Sequence, residues 1–180
     1  MAVCVVAALC VPRVAQDPGY HHFRDARTLW GVANFWNVVS NLPFIVAGVA
    51  GLAAMRGAAG VLPALRAAYR LFFIGAVLIG CGSAWYHLHP DNASLVFDRL
   101  PMTVSFMAFV VMVAGETMGA RGAARLLWPL VLLGVASVQY WHVTESAGHG
   151  DLRPYALVQF VPMILVPLML LGSRSLLTGT

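Results

Sequence analysis

Three side chains near the middle of the sequence carry the elements of hydrolytic chemistry. Ser83 and His87 stand four residues apart, so on a helix they share one face. Asp98 follows after the turn-forming run His89-Pro90-Asp91-Asn92. Neutral imidazole is a good zinc ligand, and a zinc ion with an open position lowers the pKa of its bound water to about 7. Asp98 would then orient or deprotonate that water through it, and Ser83 would hold the water or the developing oxyanion. The same residues also have a structural reading. His87 would cap helix-end carbonyls, Asp98 would be a charge at a helix N-terminus, and Ser83 would bond back to its own helix. Spacing alone leaves both open.

The elements that must position these groups are written in the composition. Of 180 residues, 60% are apolar and 10% charged, and mean hydropathy is +0.79. Soluble domains carry about 25% charged residues, so this chain cannot cover a water-facing globule. A spanning helix needs about 20 mostly apolar residues. Segments 34–55, 69–88, 100–118, 126–141 and 154–171 meet or approach that length. The expected fold is therefore an all-α, multi-pass transmembrane bundle, one membrane domain over 1–180. Residues 1–33 form an extramembrane or interfacial segment. The apolar run Ala2 to Pro12 is too short to cross, and reads as an interfacial piece or the remnant of a further helix. Because the linker between the second and third spans is short, Asp98 should lie at nearly the depth of His87.

The eleven basic residues are all arginine, against seven acids. They do not cluster as nucleic-acid binding requires. Arg56, Arg66 and Arg70 follow the first span, Arg121 and Arg125 the third, and Arg174 the fifth. The positive-inside rule makes that side cytoplasmic. Arg99, Glu145 and Arg153 fall in loops on the other side. Cys4, Cys10 and Cys81 lack metal or redox spacing and read as buried thiols. Trp36, Trp85, Trp128 and Trp141 lie near span ends, where interfacial anchoring is the default. Asn34, Asn37, Ser40 and Asn41 either bond to neighbouring helices or line the same cavity as Ser83. His142, Glu145, His149 and Tyr20-His21-His22 read as solvated loop residues. Asn92-Ala93-Ser94 matches a glycosylation acceptor, a pattern that arises often by chance.

Three strings resemble the signatures of alkaline ceramidases: Asn34-Phe-Trp-Asn-Val-Val-Ser-Asn41, Gly82-Ser-Ala-Trp-Tyr-His87, and Phe97-Asp-Arg-Leu-Pro-Met102. Their order and separation agree with the family as well. Gln16-Asp-Pro-Gly-Tyr-His-His-Phe and Tyr155-Ala-Leu-Val-Gln-Phe-Val-Pro162 look like the bacterial, ceramidase-like branch. The resemblance implies a seven-helix hydrolase of the CREST superfamily, about five of whose spans are present here, in a bacterial inner membrane. It implies zinc held by His87, with Ser83 and Asp98 beside the zinc-bound water. The implied substrate is ceramide or a related N-acyl lipid, cleaved to sphingoid base and fatty acid. The family completes its zinc site with two histidines, four apart, on the last helix. The last histidine here is His149, so the implied zinc site is incomplete in this chain. The animal members also bind calcium through acidic residues around the first helix, including a Glu where this chain has Asn34, and calcium is not expected. Two other functions fit the same residues: a non-catalytic relative, such as a lipid sensor, and a CREST-type lipid hydrolase with a different substrate.

Overall fold

The computed structural model describes residues 10–57 and 60–173; Cys4, Arg174 and most of the Ala2 to Pro12 run lie outside them. The described residues form an all-helical bundle. After a 3-10 turn at Pro18–His21 come α1 (Phe35–Val39) and α2 (Leu42–Ala54), followed by α3 (Arg66–Leu88) and α4 (Asn92–Ala114). A π-helical turn at Gly115–Gly119 leads into α5 (Ala120–Arg125), and then come α6 (Leu127–Ser146) and α7 (Arg153–Gly172).

Four stretches are long and apolar enough to cross a membrane: Phe35–Ala54, Pro63–Leu88, Asn92–Arg125 and Arg153–Gly172. The segment expected at 126–141 is the helix α6, but it is not among those four. Its last turns carry Gln139, His142, Thr144 and Glu145, which lower its apolar content. Within the first span, α1 and α2 are separated at Ser40 and Asn41. The Asn41 amide donates to the Asn37 carbonyl at 2.7 Å, and Pro43 opens α2. Proline there pre-sets the helical φ and removes an N–H that would have no partner.

α4 is the central element. It packs against α3, α6 and α7, and α2 packs on the outer side of α3. Of its apolar window 56% is buried, against 22% or less in the other three spans. In its C-terminal half, Met107, Ala108 and Val111 meet Leu65, Leu127 and Val131. Toward the other end, Leu95 meets Tyr86, Val138, Trp141 and Tyr155.

Helix α4 starts eight residues earlier than the span expected at 100, because Asp91 and Ser94 form a reciprocal cap. The Ser94 amide donates to Asp91 Oδ1 at 2.7 Å, and the Asp91 amide to Ser94 Oγ at 3.2 Å. This capping box satisfies orphan donors of the first turn and nucleates the helix ahead of the apolar run. It also holds the Asp91 carboxyl below its ordinary range, chiefly through the Ser94 backbone N–H. Asp98 is consequently about 9 Å along the helix from its first residue, rather than at its N-terminus.

The contact of α3 with α4 turns on two residues. Pro101 lies inside α4 and has no N–H to donate to the Phe97 carbonyl, four residues back. Gly82 of α3 approaches that same carbonyl so closely that a Cβ at position 82 would collide with it. A glycine lets the helices touch at backbone distance, the use of small residues common in membrane bundles. Gly82→Ala should therefore cost about 1–3 kcal/mol by overpacking and lower the thermal midpoint in detergent. Gly122→Ala is the control: its Cβ would meet nothing within 4 Å. It should leave the midpoint unchanged or raise it by the difference in helix propensity, about 0.5–1 kcal/mol.

Candidate functional site

Gly82 places the next residue, Ser83, against α4. Ser83 and Asp98 are each 9% exposed, and the Ser83 hydroxyl lies beside the Asp98 carboxyl. A carboxylate in a spanning helix is costly unless it finds a donor or a function. Ser83, expected to bond back to its own helix, is thus turned to the neighbouring one.

His87 stands one turn farther along α3 and is half-buried. Its ring lies edge-on to Phe23, centroids 4.6 Å apart, and tilts on Tyr86 at 5.3 Å. Its Nδ1 is buried without a hydrogen-bond partner, so the imidazole is not spent on capping a carbonyl. Capping falls to Asn34, whose amide donates to the His87 carbonyl at 2.8 Å, satisfying one of the orphan acceptors at the end of α3. Asn37 in turn donates to the Asp25 carbonyl at 2.7 Å. Of the two readings of the asparagine face, bonding to neighbouring segments is the one these contacts fit.

The site is covered by a strap that no spacing of residues reveals. Residues 14–23 cross the end of the bundle. The Leu152 amide donates to the Val14 carbonyl at 2.8 Å, and the Gln16 amide to Glu145 Oε2 at 2.9 Å. His21 bridges two helices, with Nδ1 at 3.0 Å from the Tyr86 hydroxyl and Nε2 at 3.0 Å from Asn92 Oδ1. Tyr20 stacks on Tyr86. Tyr20, His21 and Glu145 are therefore not merely solvated loop residues, while His149 is exposed as expected. Asn92 is occupied in the same junction. The available signal was the density of aromatic and imidazole rings between Gln16 and Phe23.

Arg99 and Trp141 depart furthest from their expected places. Arg99 is not a loop residue: it lies in α4 and is 5% exposed. Its guanidinium carbon sits over the rings of Trp141 at 4.1 Å, Tyr155 at 4.7 Å and Tyr20 at 5.8 Å. Trp141 is fully buried as part of this cage rather than anchoring at the interface, whereas Trp36, Trp85 and Trp128 are exposed. Cys10 and Cys81 are exposed rather than buried. Cys81 faces outward because the inner face of α3 is taken by Gly75, Ser83 and Tyr86.

An apolar groove of about 720 Å³ runs beside the site, between Leu78, Cys81 and Trp85 of α3 and Phe97, Leu100 and Val104 of α4. Gly82 lines it as well, which puts the groove one residue from Ser83. A larger open recess of about 930 Å³ lies under the strap, among Phe23, Arg24, Asp25 and Asn37.

A closed or catalytic zinc site takes three or four protein donors. Among the described residues no three His, Cys, Asp or Glu side chains gather closely enough to hold a metal. The unpartnered Nδ1 of His87 fits one corner of such a site, and the donor set as a whole does not complete it.

Below the strap, Asp151 is 1% exposed and receives a two-pronged bond from Arg153, Nε to Oδ1 and Nη2 to Oδ2, both at 2.8 Å. Arg153 also donates to the Val11 carbonyl at 2.7 Å, tying the strap to this pair. The Arg153 side-chain bond lowers the Asp151 carboxyl to about 2, from an unfolded value of about 3.9. A depressed carboxyl stabilises the fold above its unfolded pKa and loses that contribution as pH falls through the folded one. The thermal midpoint should hold between about pH 7 and 4 and decline between about pH 4 and 2. In Asp151→Asn it should be lower at neutral pH and decline less on acidification.

A family model for ceramidase matches residues 27–174. No curated protein and no solved structure matches the chain. The match takes in α1 to α7 and begins after the strap.

Proposed function

The chain belongs to the ceramidase family, and from that premise we propose that it is a membrane hydrolase of the amide bond of ceramide or a related N-acyl lipid, in a bacterial inner membrane. The observation that carries the reading is the buried Ser83 hydroxyl beside the buried Asp98 carboxyl, next to an apolar groove lined by Gly82 and Phe97. A diacyl or N-acyl lipid that never leaves the bilayer needs lateral entry, and that groove supplies an apolar wall along which one chain can lie.

In this reading Asp98 takes a proton from the attacking water as its oxygen bonds to the carbonyl carbon, and returns that proton to the leaving nitrogen as the C–N bond breaks. Water is consumed and the products are a fatty acid and a free amine. Ser83 donates its hydroxyl to the Asp98 carboxylate at rest and to the developing oxyanion during attack. The close approach of α3 to α4 at Gly82 keeps both groups on one side of the carbonyl. His87 is the imidazole that the resemblance assigns to zinc, and its unpartnered Nδ1 supports that assignment. Calcium forms no part of the reading.

Purified protein should hydrolyse an N-acyl sphingoid lipid. Asp98→Asn should lower kcat by about 10²–10⁴, the usual span for a general acid–base group. Ser83→Ala should lower it by about 10²–10³, as for removal of an oxyanion donor. Metal analysis beside His87→Ala decides the zinc assignment, which requires metal in the wild type and its loss in the variant. A folded, metal-free protein without turnover would point instead to a non-catalytic lipid-binding relative, which the lack of a three-donor cluster among the described residues favours. Turnover of another acyl lipid alone would place the chain with the hydrolases of different substrate.

The groove gives a separate check. Val104→Trp fills its α4 wall while leaving Ser83 and Asp98 in place. KM for a long-chain substrate should rise about tenfold, with kcat and the short-chain substrate nearly unaffected.

A further inference from the structure

The chain makes a tight hairpin between the strap and the first span, and the proposed reaction does not use it. The Leu29 amide donates to the Val32 carbonyl at 3.2 Å, and the Val32 amide to the Leu29 carbonyl at 2.9 Å. Between them Trp30 and Gly31 have φ of +50° and +78°, the two positive values that such a two-residue loop requires. Asn-Gly and Asp-Gly are its usual occupants, since a bulky side chain is strained at positive φ. Here the first place holds a tryptophan, which is 87% exposed. A strained backbone that displays a large apolar ring instead of burying it marks a contact made outside the fold.

The hairpin is fixed against the start of the first span. The Phe35 amide donates to the Arg27 carbonyl at 3.0 Å. The Trp30 ring lies edge-on to Phe35, centroids 5.1 Å apart, and Phe35 lies in the same way to Trp36 at 5.2 Å. Phe35 is the first residue of a stretch long and apolar enough to cross the membrane, and only 11% of its apolar window is buried. Trp36, Leu42, Phe44 and Val46 of that stretch are exposed, so it faces lipid. Trp30 therefore extends a lipid-facing apolar surface by one ring beyond the end of the helix. Asn34, between hairpin and helix, donates to the His87 carbonyl and so ties this corner to the end of α3.

We infer that the hairpin at 29–32 is an interfacial foot, with the Trp30 indole seated among the lipid head groups on the side of the bilayer that carries the strap. An indole suits that level because its ring is apolar while its N–H bonds to water and head-group oxygens. The partner is the bilayer rather than a protein, because the ring continues the surface of a spanning helix. Since Asn34 joins the hairpin to α3, the depth of the indole sets the height of His87 relative to the head groups. The inference needs only that the chain crosses a membrane, and it is independent of hydrolysis.

Full-chain protein in phosphatidylcholine nanodiscs is excited at the red edge of indole absorption. Subtracting the emission of Trp30→Phe leaves that of Trp30, which should lie to the blue of indole in water. Lipid brominated at the top of its acyl chains should quench it at least about twofold more than lipid brominated at the chain ends, as a head-group location requires. Aqueous iodide should quench it at most about half as strongly as it quenches free indole. Iodide quenching equal to that of free indole would put the ring in water and overturn the inference. Stronger quenching by chain-end bromine would place it in the hydrocarbon and overturn the interfacial assignment. Shielding from both iodide and bromine would mean contact with another protein chain, and would overturn the bilayer as partner. Should Trp30→Phe not fold, Trp30→Tyr supplies the same subtraction. If neither folds, the ring is a packing residue and the assignment fails.

Discussion

The architecture of the site depends on one backbone contact, the approach of Gly82 to the Phe97 carbonyl. Pro101 creates the opening by withholding its N–H from that carbonyl, and Gly82 fills it because it has no side chain. A Cα–H beside a carbonyl oxygen is a weak attraction, about 0.5–1 kcal/mol, but here it sets a distance rather than supplying stability. With the two backbones in contact, residue 83 on one helix and residue 98 on the other fall within hydrogen-bond reach. A methyl group between them would separate a donor and an acceptor that neither water nor lipid could replace.

Burial then raises the stakes of that pairing. Placing Asp or Arg in a spanning helix costs about 2.5–3.5 kcal/mol on insertion scales. Asp98 recovers part of this through the neighbouring Ser83 hydroxyl. Arg99 recovers it differently, through three rings at about 0.5–2 kcal/mol each and the Gln16 oxygen. Adjacent residues of opposite charge are thus served by opposite sides of α4: α3 on one side, α6, α7 and the strap on the other. This explains why α4 is the most buried of the spans. The strap is pinned at several points, by Leu152, Glu145 and Tyr86, and its release would uncover Arg99.

The spans were legible because lipid imposes a length and a composition that soluble folds do not. Ser83 and His87 were legible as one face because the helical period is fixed. The start of α4 was not, because His89-Pro90-Asp91-Asn92 reads as a turn and the reciprocal bonds of Asp91 and Ser94 depend on where the next helix begins. Asp98 therefore looked like a terminal charge and is an internal one. Trp141 and Arg99 were misplaced for a related reason. Averages put tryptophan at the interface and arginine in loops, and only the pairing of each with the other lets both be buried. The strap was beyond reach. Its bonds join residues 65 to 138 positions apart, and nothing periodic announces them.

The family match covers the helices and begins beyond the strap, a division that follows the physics of the site. Ser83 and Asp98 are brought together by helix-to-helix geometry alone, so any chain that keeps the Gly82–Pro101 crossing keeps that pair. Arg99 has no such internal guarantee. Its cage is closed by Gln16 and Tyr20, which lie outside the matched helices. A chain with the same helices and a different N-terminal segment would have to replace this arginine or find it another cover. The Ser83–Asp98 pair and the buried cation are therefore separable features of one bundle, the first fixed by the helices and the second by what is laid across them.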